Sequence, residues 1–155
     1  MIAQTPVEPR DSSRLMVLHK DSGEIEHKIF RDLIDYLKEG DTLILNDTKV
    51  IPARIYGTKK NTGAIVEFLL LKQSENNVWE CLCKPGKRAK LNTVFTFGEG
   101  LVDCEVVGVS DEGNRFVKFN CDKKEIYNIL DKIGKMPLPP YITEELKDAD
   151  RYQTV

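Results

Sequence analysis

The sequence predicts an α+β chain with two textures, and three observations predict it. Up to about Gly57 a paired-strand pattern precedes one helical stripe. Beyond Gly57, short alternating strands succeed one another between turn residues. A second helical stripe then leads into a proline-rich segment at 135–142. Strands and helices that are segregated rather than regularly alternating mark this class. The 155 residues suffice for one ordinary domain or for two small ones.

In chain order, RLMVLHK (14–20) and EIEHKIF (24–30) flank Asp21-Ser22-Gly23 and read as a β-hairpin. Phe30, Leu33, Ile34 and Leu37 recur at the spacing of one helix face, with Gly40 as the stop. Thr42–Leu45 reads as a buried strand, followed by the polar cluster Asn46-Asp47-Thr48-Lys49. Val50–Tyr56 resumes an extended run, which Pro52 restricts to an edge or irregular strand.

After Gly57, Val66, Phe68 and Leu70 share one strand face, as do Trp79, Cys81 and Cys83, and then Val102, Cys104 and Val106. The turn signals SENN, PGKR, FGEG and DEGN recur between them. Such short strands with regular turns predict a small barrel or a sandwich. A helix is expected over 123–132, with Asp122 and Glu125 as its N-terminal signal. Ile126, Leu130 and Ile133 form its stripe, and Gly134 ends it. KMPLPPYI (135–142) is stiff and extended. It is either a rigid connector or a return of the chain to its first domain.

Composition narrows the function classes. Hydrophobic residues are 41% and charged residues 31%, the balance of a globular protein. No apolar run is long enough to span a bilayer, and MIAQTPVEPRD lacks the pattern of a secretory signal, so a cytoplasmic location is expected. The net charge of −2 leaves nucleic-acid binding to a local basic patch and argues against strong autonomous binding. Cys81, Cys83, Cys104 and Cys121 lack C-x-x-C spacing, and neither histidine is near them in sequence. They read as reduced core thiols, and no metal site is expected. His19 and His27 read as exposed hairpin residues rather than catalytic ones.

Gly98-Glu99-Gly100 precedes an alternating strand rather than a helix, which makes it a turn and not a nucleotide fingerprint. Lys84, Lys87, Arg88 and Lys90 surround Pro85-Gly86. They are either a solvated turn or contacts to a nucleic-acid backbone. Asp11-Ser12-Ser13-Arg14 and Asn46-Asp47-Thr48-Lys49 are dense in short polar side chains. Such groups orient a polar substrate, or they simply make caps and turns.

Six segments carry a family resemblance: IAQTPVEPRDSSRLMVL, GEIEHKIFRDLIDYL, LILNDTKVIPARIYG, CKPGKRAK, KMPLPPYI and DRYQTV. In this order they resemble the S-adenosylmethionine:tRNA ribosyltransferase-isomerases of queuosine synthesis, and NDTKVIPAR with MPLPPYI is a specific pair. The resemblance implies an α/β main domain with a small antiparallel barrel inserted in it. The expected division is 1–57 for the first part of the main domain, 58–134 for the barrel, and 135–155 for the return. It implies S-adenosylmethionine as co-substrate and ribosyl donor, with no metal. The acceptor would be a tRNA anticodon stem-loop carrying 7-aminomethyl-7-deazaguanine at the wobble position, and the full-length enzyme a monomer away from membranes.

By motif match, the resemblance points to Asp47, Arg54 and Thr48 as catalytic residues. It points to Asp11, Ser12, Arg14 and Asn46 as substrate-binding residues, and to Lys84, Lys87 and Arg88 as tRNA contacts. The family continues into later segments that this sequence lacks, so the chain alone is expected to be inactive. The alternative is a non-catalytic RNA-binding β-barrel module.

Overall fold

The computed structural model describes residues 2–154, which form two compact units. One unit is Lys49–Leu138; the other comprises the described residues up to Thr48 and from Pro139 onward.

The first of these is a closed antiparallel barrel with a helix. Its strands are β3 (Arg54–Lys59), β4 (Ile65–Gln73), β5 (Val78–Lys84), β6 (Val94–Phe97), β7 (Val102–Val109) and β8 (Arg115–Phe119). They close in the order β3-β4-β5-β8-β7-β6, so every strand has two neighbours and no edge is left unpaired. Of the two architectures the turn spacing allowed, closure selects the barrel. Two register shifts, between Leu70 and Lys72 and between Val106 and Gly108, add one residue each to β4 and β7. Such bulges bend a strand sharply, which a small barrel needs in order to close.

Alternation decides what enters the barrel. Ile55, Val66, Phe68, Phe95, Phe97, Val106 and Val117 are fully buried. The Phe68 ring meets the edges of Phe95 and Phe97 at centroid distances of 5.0 and 5.2 Å, an arrangement favoured by the ring quadrupoles. Helix α1 (Glu125–Ile133) adds Ile126, Ile129 and Leu130 to the same core. Asp122 serves through its backbone: its carbonyl accepts from the N–H groups of Glu125 and Ile126, while Lys124 is the N-cap residue. Gly57 is dictated by packing, because a Cβ there would lie 2.6 Å from the Phe97 ring.

The second unit holds the hairpin of β1 (Arg14–Leu18) and β2 (Ile25–Ile29), with Met16 opposite His27. Two expectations change here. The helix expected from Phe30 is a 3-10 helix, Phe30–Tyr36, and Leu37 is already extended. The Phe30, Ile34 and Leu37 side chains of the expected stripe are exposed. Short helices draw most of their stability from a buried face, and this one buries none. Thr42–Leu45 is not a strand, because no described strand pairs with it; Ile44 is 94% exposed.

Candidate functional site

Asp11-Ser12-Ser13-Arg14 and Asn46-Asp47-Thr48 lie in the second unit, while Lys49 begins the barrel unit. Asp11 and Ser12 belong to the 3-10 turn Arg10–Ser12, and Arg14 begins β1 opposite Ile29. The Ser12 hydroxyl donates to the Pro9 carbonyl at 2.6 Å, so it shapes the turn. Asp11 is exposed, and Arg31 Nη2 stands 3.7 Å from its carboxylate, beyond hydrogen-bond length. Its oxygens remain available as acceptors. Asn46-Asp47-Thr48 is an Asx turn in which the Thr48 N–H donates to Asn46 Oδ1 at 3.0 Å. That turn presents Asp47 to solvent.

The DRYQTV segment gathers the two turns. Arg10 Nη2 donates to the Gln153 carbonyl at 2.8 Å, and Thr154 Oγ1 donates to the Thr48 carbonyl at 2.9 Å. Arg151 Nη2 donates to the Val7 carbonyl at 2.7 Å and pairs with Glu8 at 2.8 Å. Successive residues of one segment therefore hold the 10–12 turn and the 46–48 turn. Each of the two turns presents an exposed carboxylate, Asp11 in one and Asp47 in the other. Such groups can hold the hydroxyls of a sugar or stabilise a nearby cation.

Arg54 belongs instead to the barrel unit, where β3 points it outward. Its backbone exchanges hydrogen bonds with Lys135, N–H to carbonyl at 3.2 Å and carbonyl to N–H at 2.8 Å. Its Nε stands 3.6 Å from Glu67 Oε1 and has no hydrogen-bond partner among the described residues. Glu67 also accepts from the Tyr56 hydroxyl at 3.0 Å, and burial followed by this bond pushes the Tyr56 phenol up from its usual range. In register, Tyr56 faces Glu67 on β4, and Glu67 faces Lys84 on β5. Arg88 Nη1 donates to the Ile65 carbonyl of β4 at 3.3 Å. Two clusters far apart in sequence, Arg54 and Lys84–Arg88, thus converge on the outer face of one strand. Lys87 lies in the same turn as Arg88, Gly86–Arg88.

Sequence reasoning missed four residues of this face. Tyr56 and Glu67 had a signal, since they fall on the outward phase of β3 and β4. Lys135 had none, because its place depends on a backbone pairing remote in sequence. Arg115 donates from Nε to the Ala89 carbonyl and from Nη2 to the Gly86 carbonyl, both at 2.7 Å, and from Nη1 to the Gly113 carbonyl. It thereby fixes the turn that carries Lys87 and Arg88.

The thiols and imidazoles take other places. Cys81 and Cys83 share one face of β5 with sulfurs 3.8 Å apart. The hydrogen bond between them pushes Cys83, the more exposed, toward thiolate and pushes buried Cys81 up. Burial pushes the Cys104 thiol up as well. His19 Nε2 lies 2.6 Å from Glu26 Oε1, and this bond, ahead of one from Lys28, holds the Glu26 carboxyl below its usual range. His27 is across from Met16, so the two histidines are not partners. Among the described residues, no group of three or more His, Cys, Asp or Glu side chains could hold a metal ion. No helix among them is long and apolar enough to cross a membrane.

Comparison with known proteins follows the whole chain. The family profile described as Queuosine biosynthesis protein matches residues 1–155. A curated relative from Clostridioides difficile (strain 630), S-adenosylmethionine:tRNA ribosyltransferase-isomerase, is 58% identical over 155 residues. That alignment covers 100% of this chain and 45% of the relative. Among solved structures, the S-adenosylmethionine tRNA ribosyltransferase of Thermotoga maritima is similar at 44% identity with a TM-score of 0.46. It covers 85% of this chain and 44% of that one. The chain therefore spans less than half the length of these relatives.

Proposed function

We propose, because this chain belongs to the queuosine biosynthesis protein family, that it is the N-terminal portion of a tRNA ribosyltransferase-isomerase. The enzyme would transfer the ribosyl moiety of S-adenosylmethionine to 7-aminomethyl-7-deazaguanine at the wobble position of a tRNA. Rearrangement to an epoxy-cyclopentanediol, with release of adenine and methionine, would give epoxyqueuosine-tRNA. The observation that carries this reading is the family match, which leaves no residue of the chain outside it. The enzyme would work as a cytoplasmic monomer, with a main domain that the barrel interrupts and that resumes after it.

The chemistry suits the residues present. A base must take the proton from the carbon next to the sulfonium, whose charge makes that proton removable. The exposed carboxylates of Asp47 and Asp11 suit a cationic sulfonium and ribose hydroxyls, and Arg14 suits a carboxylate such as that of methionine. Ser12, Asn46 and Thr48 hold the turns that present them. Arg54 would act from the barrel, and Lys84, Lys87 and Arg88 would meet tRNA phosphates.

The test is nucleoside mass spectrometry after incubation with S-adenosylmethionine and the precursor tRNA. The longer protein that carries this segment is expected to yield epoxyqueuosine, and the 155-residue chain alone none. Absence of product from the longer protein overturns the activity. Product from the isolated chain overturns its incompleteness.

A further inference from the structure

We infer that the outer face of β3–β4–β5 is a docking platform for one unstacked base of an RNA loop and its flanking phosphates, with Tyr56 as the stacking surface. The inference rests on the tRNA reading above and locates where the barrel would grip its substrate.

The face has the composition that such a ligand needs. Tyr56 is 44% exposed, and its hydroxyl is tied to Glu67, so the ring is held in one orientation before anything binds. Exposed Leu82 and partly buried Leu69 lie beside it in the row that Arg54 begins, giving an apolar floor next to the ring. Around this floor stand Arg54, Lys84, Arg88 and Lys135, against two carboxylates: Glu67, which Arg54 and Tyr56 engage, and Glu80 of β5, which accepts from Asn114 Nδ2 at 2.7 Å. The Lys135 ammonium lies over one face of the Tyr56 ring, 5.9 Å from its centroid, so a base would stack on the opposite face with this cation close to its phosphate.

An aromatic ring rimmed by cations is how proteins hold single-stranded nucleic acid: stacking secures the base, and the cations track the backbone. A partner would find four cations beside two carboxylates that already have partners, so charge complementarity selects a polyanion. The chain's overall charge of −2 makes this concentration local rather than general.

The test uses the longer protein and measures tRNA binding over a series of salt concentrations. Tyr56→Ala is expected to weaken binding about 10-fold, the scale of one stacked base, while Tyr56→Phe, which keeps the ring and loses only its tie to Glu67, weakens it far less. Lys84→Ala and Lys135→Ala are each expected to lower the slope of log affinity against log salt by about one. Thermal unfolding of each variant shows that the fold is retained. Wild-type affinity in Tyr56→Ala, or equal losses in the Phe and Ala variants, overturns the platform.

Ribosyl transfer assayed on the same preparations separates the two readings. Tyr56-dependent binding without product defeats the reaction and supports the platform. Product formation with an unchanged tRNA KM in Tyr56→Ala supports the reaction and defeats the platform. A wild-type protein that binds no tRNA overturns both.

Discussion

The two units of this chain handle the same kinds of side chain in opposite ways. Every fully buried residue among those described lies between Ala53 and Leu130, inside the barrel unit. The other unit buries none: Ile34 is 73% exposed and Leu45 76%. The barrel closes its own hydrogen-bond ladder and fills its own interior. The apolar side chains around the hairpin and at 30–45, among them Met16, Leu18, Phe30, Ile34 and Ile44, are exposed. Folding strength and candidate chemistry are thus distributed unequally, since the Asp11 and Asp47 turns sit on the weakly packed unit.

The largest effect that could break this contrast is a deletion in the barrel. Phe68→Ala is expected to cost about 3–5 kcal/mol, because it leaves a cavity among Phe95 and Phe97. Ile44→Ala is expected to change stability by less than about 0.5 kcal/mol. Chemical denaturation measures both, and equal losses would erase the distinction between the units. Next comes Gly57→Ala, whose methyl group must displace the Phe97 ring. About 1–3 kcal/mol should disappear from the unfolding free energy.

Thiol chemistry probes the barrel wall more gently. Iodoacetamide should modify Cys83 well before Cys81 or Cys104, as read by peptide mass spectrometry. Its proton is held less tightly, and its neighbours are buried. Modification of Cys104 first would mean that the barrel opens.

The smallest effect concerns Lys60 and Asp103, whose bond of 2.6 Å holds the Asp103 carboxyl below its usual range. A lowered folded-state value stabilises above the unfolded-state pKa, and that stabilisation is lost as pH falls through the folded value. Both side chains are partly exposed, so the gain is below about 1 kcal/mol. Lys60→Met should therefore lower Tm slightly at neutral pH and not at all once Asp103 is protonated.

The contrast also explains what the sequence disclosed. Alternation at Val66, Phe68 and Leu70 and at Val102, Cys104 and Val106 made the barrel legible, because its faces are settled by near neighbours. The same reasoning failed at Thr42–Leu45, where a strand needs a partner that no described residue supplies. It also gave the Phe30 stripe a helix of the wrong pitch. At the candidate site, composition found the polar turns. It could not find their joint attachment to Gln153 and Thr154, or the meeting of Arg54 with Lys84 across Glu67. Both arrangements depend on pairings between distant parts of the chain.

The reciprocal backbone bonds between Arg54 and Lys135 have one more consequence. They clasp the point where the chain enters the barrel unit to the point where it leaves. Gly134 completes the clasp, since a Cβ there would lie 2.1 Å from the Pro52 carbonyl oxygen. To the rest of the polypeptide, the whole barrel is a detour whose two ends meet, equivalent to a short turn. Such a cassette could be lifted out and bridged by a few residues, or grafted into a surface loop of another protein, with little strain on its host.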